Sequence, residues 1–79
     1  MKEKLIEAIT VMLKDKYQVP ALQLHAEAVY EELSLDSLTL LEVSMALERG
    51  FDIKVPDGTI LPEHTITKSV DSILLNNAA

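Results

Sequence analysis

The sequence predicts an all-α fold, a four-helix bundle with three main helices and a short third helix, in a single domain over residues 1–79. Three observations carry this reading. Apolar residues recur at three- and four-residue intervals in three separate stretches, the spacing of one buried helix face. The only alternating run, Phe51 to Val55, is short, stops at Pro56 and has no second strand to pair with. Gly50, Gly58, Pro20, Pro56 and Pro62 all fall at joints between the periodic stretches.

The first helix is expected from about Lys2 to Lys16, with Leu5, Ile6, Ile9, Met12 and Leu13 on its apolar stripe. Pro20 keeps Val19 out of helical geometry, so Tyr17 to Pro20 ends it. A long connection then runs to about Asp36, with Leu22, Leu24, Val29, Tyr30 and Leu33 expected to reach the core. The run Ser34-Leu35-Asp36-Ser37 offers side-chain oxygens to cap a second helix over about Ser37 to Arg49. Gly50, which readily takes a positive φ, is expected to stop that helix, with Phe51 folding back onto the core.

At about 100° per residue, Leu40, Val43, Ser44, Leu47 and Phe51 share one side of the second helix, and Leu38, Leu41, Glu42, Met45, Glu48 and Arg49 the other. The first is a core stripe. The second mixes apolar residues with carboxylates, which suits a partner's groove; burial of Leu38 and Met45 in a helix apolar all round is the alternative. Pro56, Asp57-Gly58 and Pro62 mark a turn-rich connector, with the short third helix at Thr59 to Leu61. The last helix spans about Ile66 to Asn76 on Ile66, Val70, Ile73 and Leu74, capped by Thr65 or Thr67, and the tail Asn-Asn-Ala-Ala is expected to fray.

Composition narrows the function classes. A chain of 79 residues has room for one modest core, which excludes a multidomain enzyme. One Phe, two Tyr and no Trp leave the interior to aliphatic side chains. No apolar stretch approaches the roughly 20 residues that cross a bilayer, and the amphipathic N-terminal segment lacks the apolar run of a signal peptide; a cytoplasmic monomer without membrane contact is expected. With no Cys, any thiol chemistry must use an added group. His25 and His64 are far apart without ligand-spaced companions, so no metal is expected. Glu31, Glu32 and Glu42 read as solvated carboxylates rather than as a catalytic pair, and the chain is not expected to be an enzyme.

Net charge is −6, which disfavours a nucleic-acid partner. Eight of the thirteen acidic residues lie between Glu27 and Asp57, where the only bases are Arg49 and Lys54, so the whole net charge sits on the middle of the chain. This segment is a candidate docking surface for basic proteins, or else a solvated face that keeps the domain soluble.

Within it, Asp36-Ser37-Leu38 puts an accessible hydroxyl at a helix start, where the helix dipole favours an attached or approaching phosphate. Asp71-Ser72-Ile73 is a decoy, since Ser72 falls inside the periodic pattern of the last helix. The stretch from Tyr30 to Asp57, with D-S-L, A-L-E, F-D-I and V-P-D in register, resembles the modification loop, second helix and following turn of the acyl carrier protein family.

The resemblance implies that Ser37 receives phosphopantetheine, donated by coenzyme A and held covalently, with Asp36 and Leu38 flanking it. It also explains the missing Cys, because the thiol then belongs to the arm. The family's partner-recognition positions match Asp36, Leu38, Glu42, Met45, Ala46 and Glu48, on the face already derived from periodicity, with Thr39 and Arg49 beside them. The expected partners are a phosphopantetheinyl transferase, an acyl- or aminoacyl-loading enzyme, and an acyltransferase or synthase with basic docking surfaces. Charge reversal at Glu42 or Glu48 is expected to slow encounter with little loss of stability. Leu40, Val43, Leu47, Phe51, Ile53 and Val55 would line or adjoin the interior that shelters an attached chain.

Thr39 and Arg49 stand where carriers of primary fatty-acid synthesis are usually acidic, Gly50 interrupts the acidic end of the helix, and Ser34 replaces a common Gly. These departures point to a free-standing carrier of a specialised, polyketide-type pathway. An aminoacyl or peptidyl carrier, or a non-catalytic interaction module using the same face, are the alternatives.

Overall fold

Leu5, Ile9 and Leu13 are wholly buried in the computed structural model, which describes residues 2–56 and 58–77. They form the inner stripe of α1 (Lys2–Tyr17), with Ile6 and Met12 packed at its edges. Glu3 in the first turn and Lys14 and Lys16 in the last complement the helix dipole. Gln18 takes a left-handed φ of 58° and the Val19 N–H donates to the Leu13 carbonyl at 3.0 Å, so the helix closes just before Pro20.

The connection that follows contains two 3-10 turns, Ala21–Gln23 and Tyr30–Leu33. Tyr30 is fully buried and Leu24 and Leu33 pack against the core, but Leu22 is 98% exposed. The expectation that Leu22 reaches the core is therefore corrected: the turn after Pro20 aims this side chain at solvent, and Val19 and Ala28 are buried in the same connection. Ser34 sits in the left-handed region at φ 63°, which gives a physical reason for the Gly that the family resemblance suggests there.

Helix α2 (Ser37–Phe51) buries Leu40, Val43, Ser44 and Leu47. The Ser44 hydroxyl donates to the Leu40 carbonyl at 2.9 Å, so its burial leaves no hydrogen-bonding group unmade. The helix does not stop at Gly50. It continues through it to Phe51, the last apolar residue of the stripe, and the left-handed position falls to Asp52 at φ 54°. Packing of Phe51 against the core sets the end, and Asp is among the residues that tolerate this conformation.

The predicted short helix at Thr59 to Leu61 is not formed, and the fold has three α-helices among the described residues. Gly58 has φ 85° and Pro62 has no N–H to continue a helical ladder. Separate turns close instead, from the Thr59 N–H to the Pro56 carbonyl and from the His64 N–H to the Leu61 carbonyl. Thr59 and Ile60 are nevertheless buried. Asp57, Ala78 and Ala79 lie outside the described residues, and with them part of the V-P-D turn and of the expected frayed tail.

Helix α3 (Ile66–Asn76) has the expected span, and the Thr65 Oγ1 accepts the Lys68 N–H at 3.0 Å as its cap. Ile66, Val70 and Ile73 face the core, where α3 and α2 both pack on α1. A seam of backbone bonds joins the first connector to the start of α3: Tyr30 to His64, Glu31 to Pro62, Ile66 to Ala28 and Thr67 to Ala26. One isolated antiparallel bridge, Val29 with Thr65, lies in this seam.

Candidate functional site

The start of α2 is built by Asp36. Its extended backbone lets Oδ1 accept the Thr39 N–H at 2.9 Å. That backbone bond, followed by one with the Thr39 side chain, holds the Asp36 carboxyl below the ordinary Asp value. The capping side chain is engaged inward along the helix, and the next residue, Ser37, presents an exposed hydroxyl.

Ser37 lines a groove of about 390 Å³ together with Leu38, Leu41, Ser44, Gly58, Ile60 and Leu61. One wall is α2 and the other is the turn segment that replaces the short third helix. Leu41, Ile60 and Leu61 make the groove apolar, and Leu38, 65% exposed, stands at its rim. Sequence reasoning missed the far wall. Its only signal was two adjacent apolar residues, Ile60 and Leu61, in an otherwise turn-forming stretch.

The outer face of α2 carries Leu38, Glu42, Met45 and Arg49 in the open, and Thr39, Leu41, Ala46 and Glu48 half-buried. Met45 is 47% exposed, so Leu38 and Met45 are surface residues rather than part of a helix buried all round. Glu42 lies 3.4 Å from the Tyr17 hydroxyl at the end of α1. Partial burial first, then the Glu42 charge and this bond, push the Tyr17 hydroxyl above its ordinary pKa.

Glu48 departs from the expectation of a freely exposed carboxylate. Its Oε2 accepts the backbone N–H of Val55 at 3.0 Å, tying the end of α2 to the connector that follows. A charge reversal there removes an internal hydrogen bond, which the expected indifference of stability did not take into account for Glu48. Asn77 makes a second tie, its Oδ1 accepting the Lys54 N–H and its Nδ2 donating to the carbonyls of Lys54 and Ile73. Neither tie leaves a trace in periodicity.

Ser72 is half-buried within α3 and away from any helix start, unlike Ser37. His25 is exposed on the first connector and His64 lies in the second, its Nδ1 buried without a partner among the described residues. The described residues include no group of three or more side chains able to hold a metal ion.

A family model described as "Phosphopantetheine attachment site" matches residues 7–73. Among curated proteins, the chain is 29% identical to an acyl carrier protein of Rubrobacter xylanophilus over 99% of this chain and 98% of that one. It is 26% identical to an acyl carrier protein of Acidothermus cellulolyticus over 91% and 87%. A third, from Cyanophora paradoxa, is 41% identical over 46 residues, which cover 58% of this chain and 45% of the relative. No solved structure matches.

Proposed function

The chain belongs to the phosphopantetheine-attachment family that includes the acyl carrier proteins, with phosphopantetheine as its covalent cofactor; from that premise we propose that Ser37 is the attachment residue and that the outer face of α2 docks the partner enzymes. The observation that carries the reading is the exposed Ser37 hydroxyl at the first position of α2, beside an apolar groove and inside the matched span.

The residues present suit the group. A phosphodiester on Ser37 would lie at the positive end of α2, where the dipole favours negative charge. Asp36 spends its carboxylate on the Thr39 N–H, which fixes the helix start and leaves the serine turned outward. Ser37 would hold the arm, and the arm supplies the thiol on which an acyl group rides as a thioester. The chain's own task is to present, orient and shelter. Leu41, Ile60 and Leu61 offer apolar surface next to the attachment point, worth about 25 cal/mol for each Å² removed from water.

Partner selection belongs to the same face. Asp36 and Glu42 attract the basic docking surfaces of a phosphopantetheinyl transferase, a loading enzyme and an acyltransferase or synthase, while Leu38 and Met45 supply apolar contact. Thr39 and Arg49 lower the negative charge of this surface, which supports service in a specialised, polyketide-type pathway. The carrier itself performs no catalysis and works as a cytoplasmic monomer. No described helix is long and apolar enough to cross a membrane.

Intact mass after incubation with coenzyme A and a broad-specificity phosphopantetheinyl transferase tests the assignment. Wild type and Ser72→Ala gain the arm and Ser37→Ala does not. An arm on the Ser37→Ala protein would sink the proposal.

A further inference from the structure

We propose that Glu48 is a positioning residue, a latch that holds the connector after α2 against that helix until an arginine of a docking partner takes its carboxylate. The inference rests on the reading that the outer face of α2 meets basic partners, and extends it to the control of the groove beside Ser37.

Val55 is 3% exposed, so its N–H, bonded to Glu48 Oε2 at 3.0 Å, lies where water is a poor substitute. Glu48 itself is only half-buried and on the docking face, so one carboxylate is shared between the interior and the surface. From Val55 the chain runs directly into the far wall of the groove. The Pro56 carbonyl accepts the Thr59 N–H at 3.1 Å, and Gly58, Ile60 and Leu61 follow as lining residues. A local event at Glu48 therefore reaches the groove through a few residues of continuous chain. The tie from Asn77 to Lys54 keeps the connector anchored to α3, which makes Glu48 the tie on the α2 side.

The geometry of the two basic side chains distinguishes the partner. A guanidinium binds a carboxylate through both oxygens and competes with the Val55 N–H for Oε2. A lysine ammonium is a point charge that is satisfied by Oε1 alone and leaves the latch closed. Arginine at this position opens the groove wall; lysine docks without opening it.

The test uses the unmodified full chain, with hexa-arginine and hexa-lysine peptides as probes. Amide exchange at Val55 and the Glu48 side-chain carboxyl and Ile60 and Leu61 methyl resonances are followed by NMR. Hexa-arginine is expected to shift the Glu48 carboxyl, speed Val55 exchange at least about tenfold, and move the Ile60 and Leu61 methyls with the same midpoint. Hexa-lysine leaves Val55 protected. Glu48→Gln, which keeps an acceptor oxygen without the charge, stays protected with either peptide, and Glu48→Ala exchanges fast even when no peptide is present.

Continued protection of Val55 in saturating hexa-arginine overturns the proposal, as does an equal acceleration in Glu48→Gln. These readings do not depend on modification. Loss of the latch with Ser37 still accepting the arm sinks only this inference, and a working latch on a protein that Ser37→Ala fails to silence sinks only the attachment assignment.

Discussion

The Tyr30 hydroxyl lies 2.6 Å from Ser69 Oγ, with both residues wholly buried, and Ser69 in turn donates to the Ile66 carbonyl at 2.7 Å. With the Ser69 proton committed to that carbonyl, Tyr30 is the donor of the pair. The bond fastens the first connector to the first turn of α3.

Burial pushes the Tyr30 hydroxyl up to about 12 from an ordinary 10.0. A raised pKa in the folded state means that folding retains a proton which the unfolded chain releases. Stability is then complete below pH 10 and falls as pH rises toward 12, by at most about 1.4 kcal/mol per pH unit from this group. Chemical denaturation between pH 8 and 11.5 should show that loss. Tyr30→Phe should flatten the part of the slope due to this group, after an initial loss of about 1 kcal/mol for the missing bond.

At the acid end the sign reverses for Asp36, whose pKa is lowered by the Thr39 bonds. Its contribution is present above the ordinary Asp value and is lost as pH falls through the lowered one. Asp36→Ala should reduce the acid dependence of stability and raise exchange at the Thr39 amide. An unchanged Thr39 amide would contradict the cap.

Glu42 and Glu48 face the same side of α2 but should separate on reversal. Glu42→Lys breaks only a long contact from Tyr17 and should slow arm transfer severalfold at low salt with stability within about 0.5 kcal/mol. Glu48→Lys also unmakes the Val55 bond and should cost about 1–3 kcal/mol in a urea titration.

Ser34 pays for a left-handed conformation just before the site. Ser34→Gly should stabilise the protein by up to about 1 kcal/mol, the relief of strain exceeding the added freedom of the unfolded chain. A thermal melt that falls instead would mean that the Ser34 side chain is needed in place.

What was legible in the sequence is what repeats locally. The stripes Leu5-Ile9-Leu13 and Leu40-Val43-Leu47 follow from helical spacing, and Thr65 and Asp36 announce helix starts through side chains that reach their own backbone. Helix ends were less legible, because Phe51 continues α2 for the sake of its packing and hands the reversal to Asp52 rather than to Gly50. Long-range polar ties were not legible at all. Glu48 with Val55, Asn77 with Lys54 and Tyr30 with Ser69 depend on how separate elements come to rest, and no residue type by itself foretells them. Ser37 could be proposed from the sequence because its signal is local; the turn segment that walls its groove was expected as a helix.

The backbone seam between the first connector and the start of α3 has a bearing on the order of folding. Thr67 donates to Ala26 from 41 residues away, through its hydroxyl as well as its N–H. Contacts of that range close late, after the loop-closure cost has been met, whereas α1 and α2 wind from neighbours in sequence. Tyr30, held from its far side by His64 and Ser69, also accepts the Leu35 N–H that leads the chain into Asp36. The approach of the chain to Asp36 is thus tied to the far half of the sequence, and a short peptide bearing Asp36-Ser37-Leu38 lacks that tie.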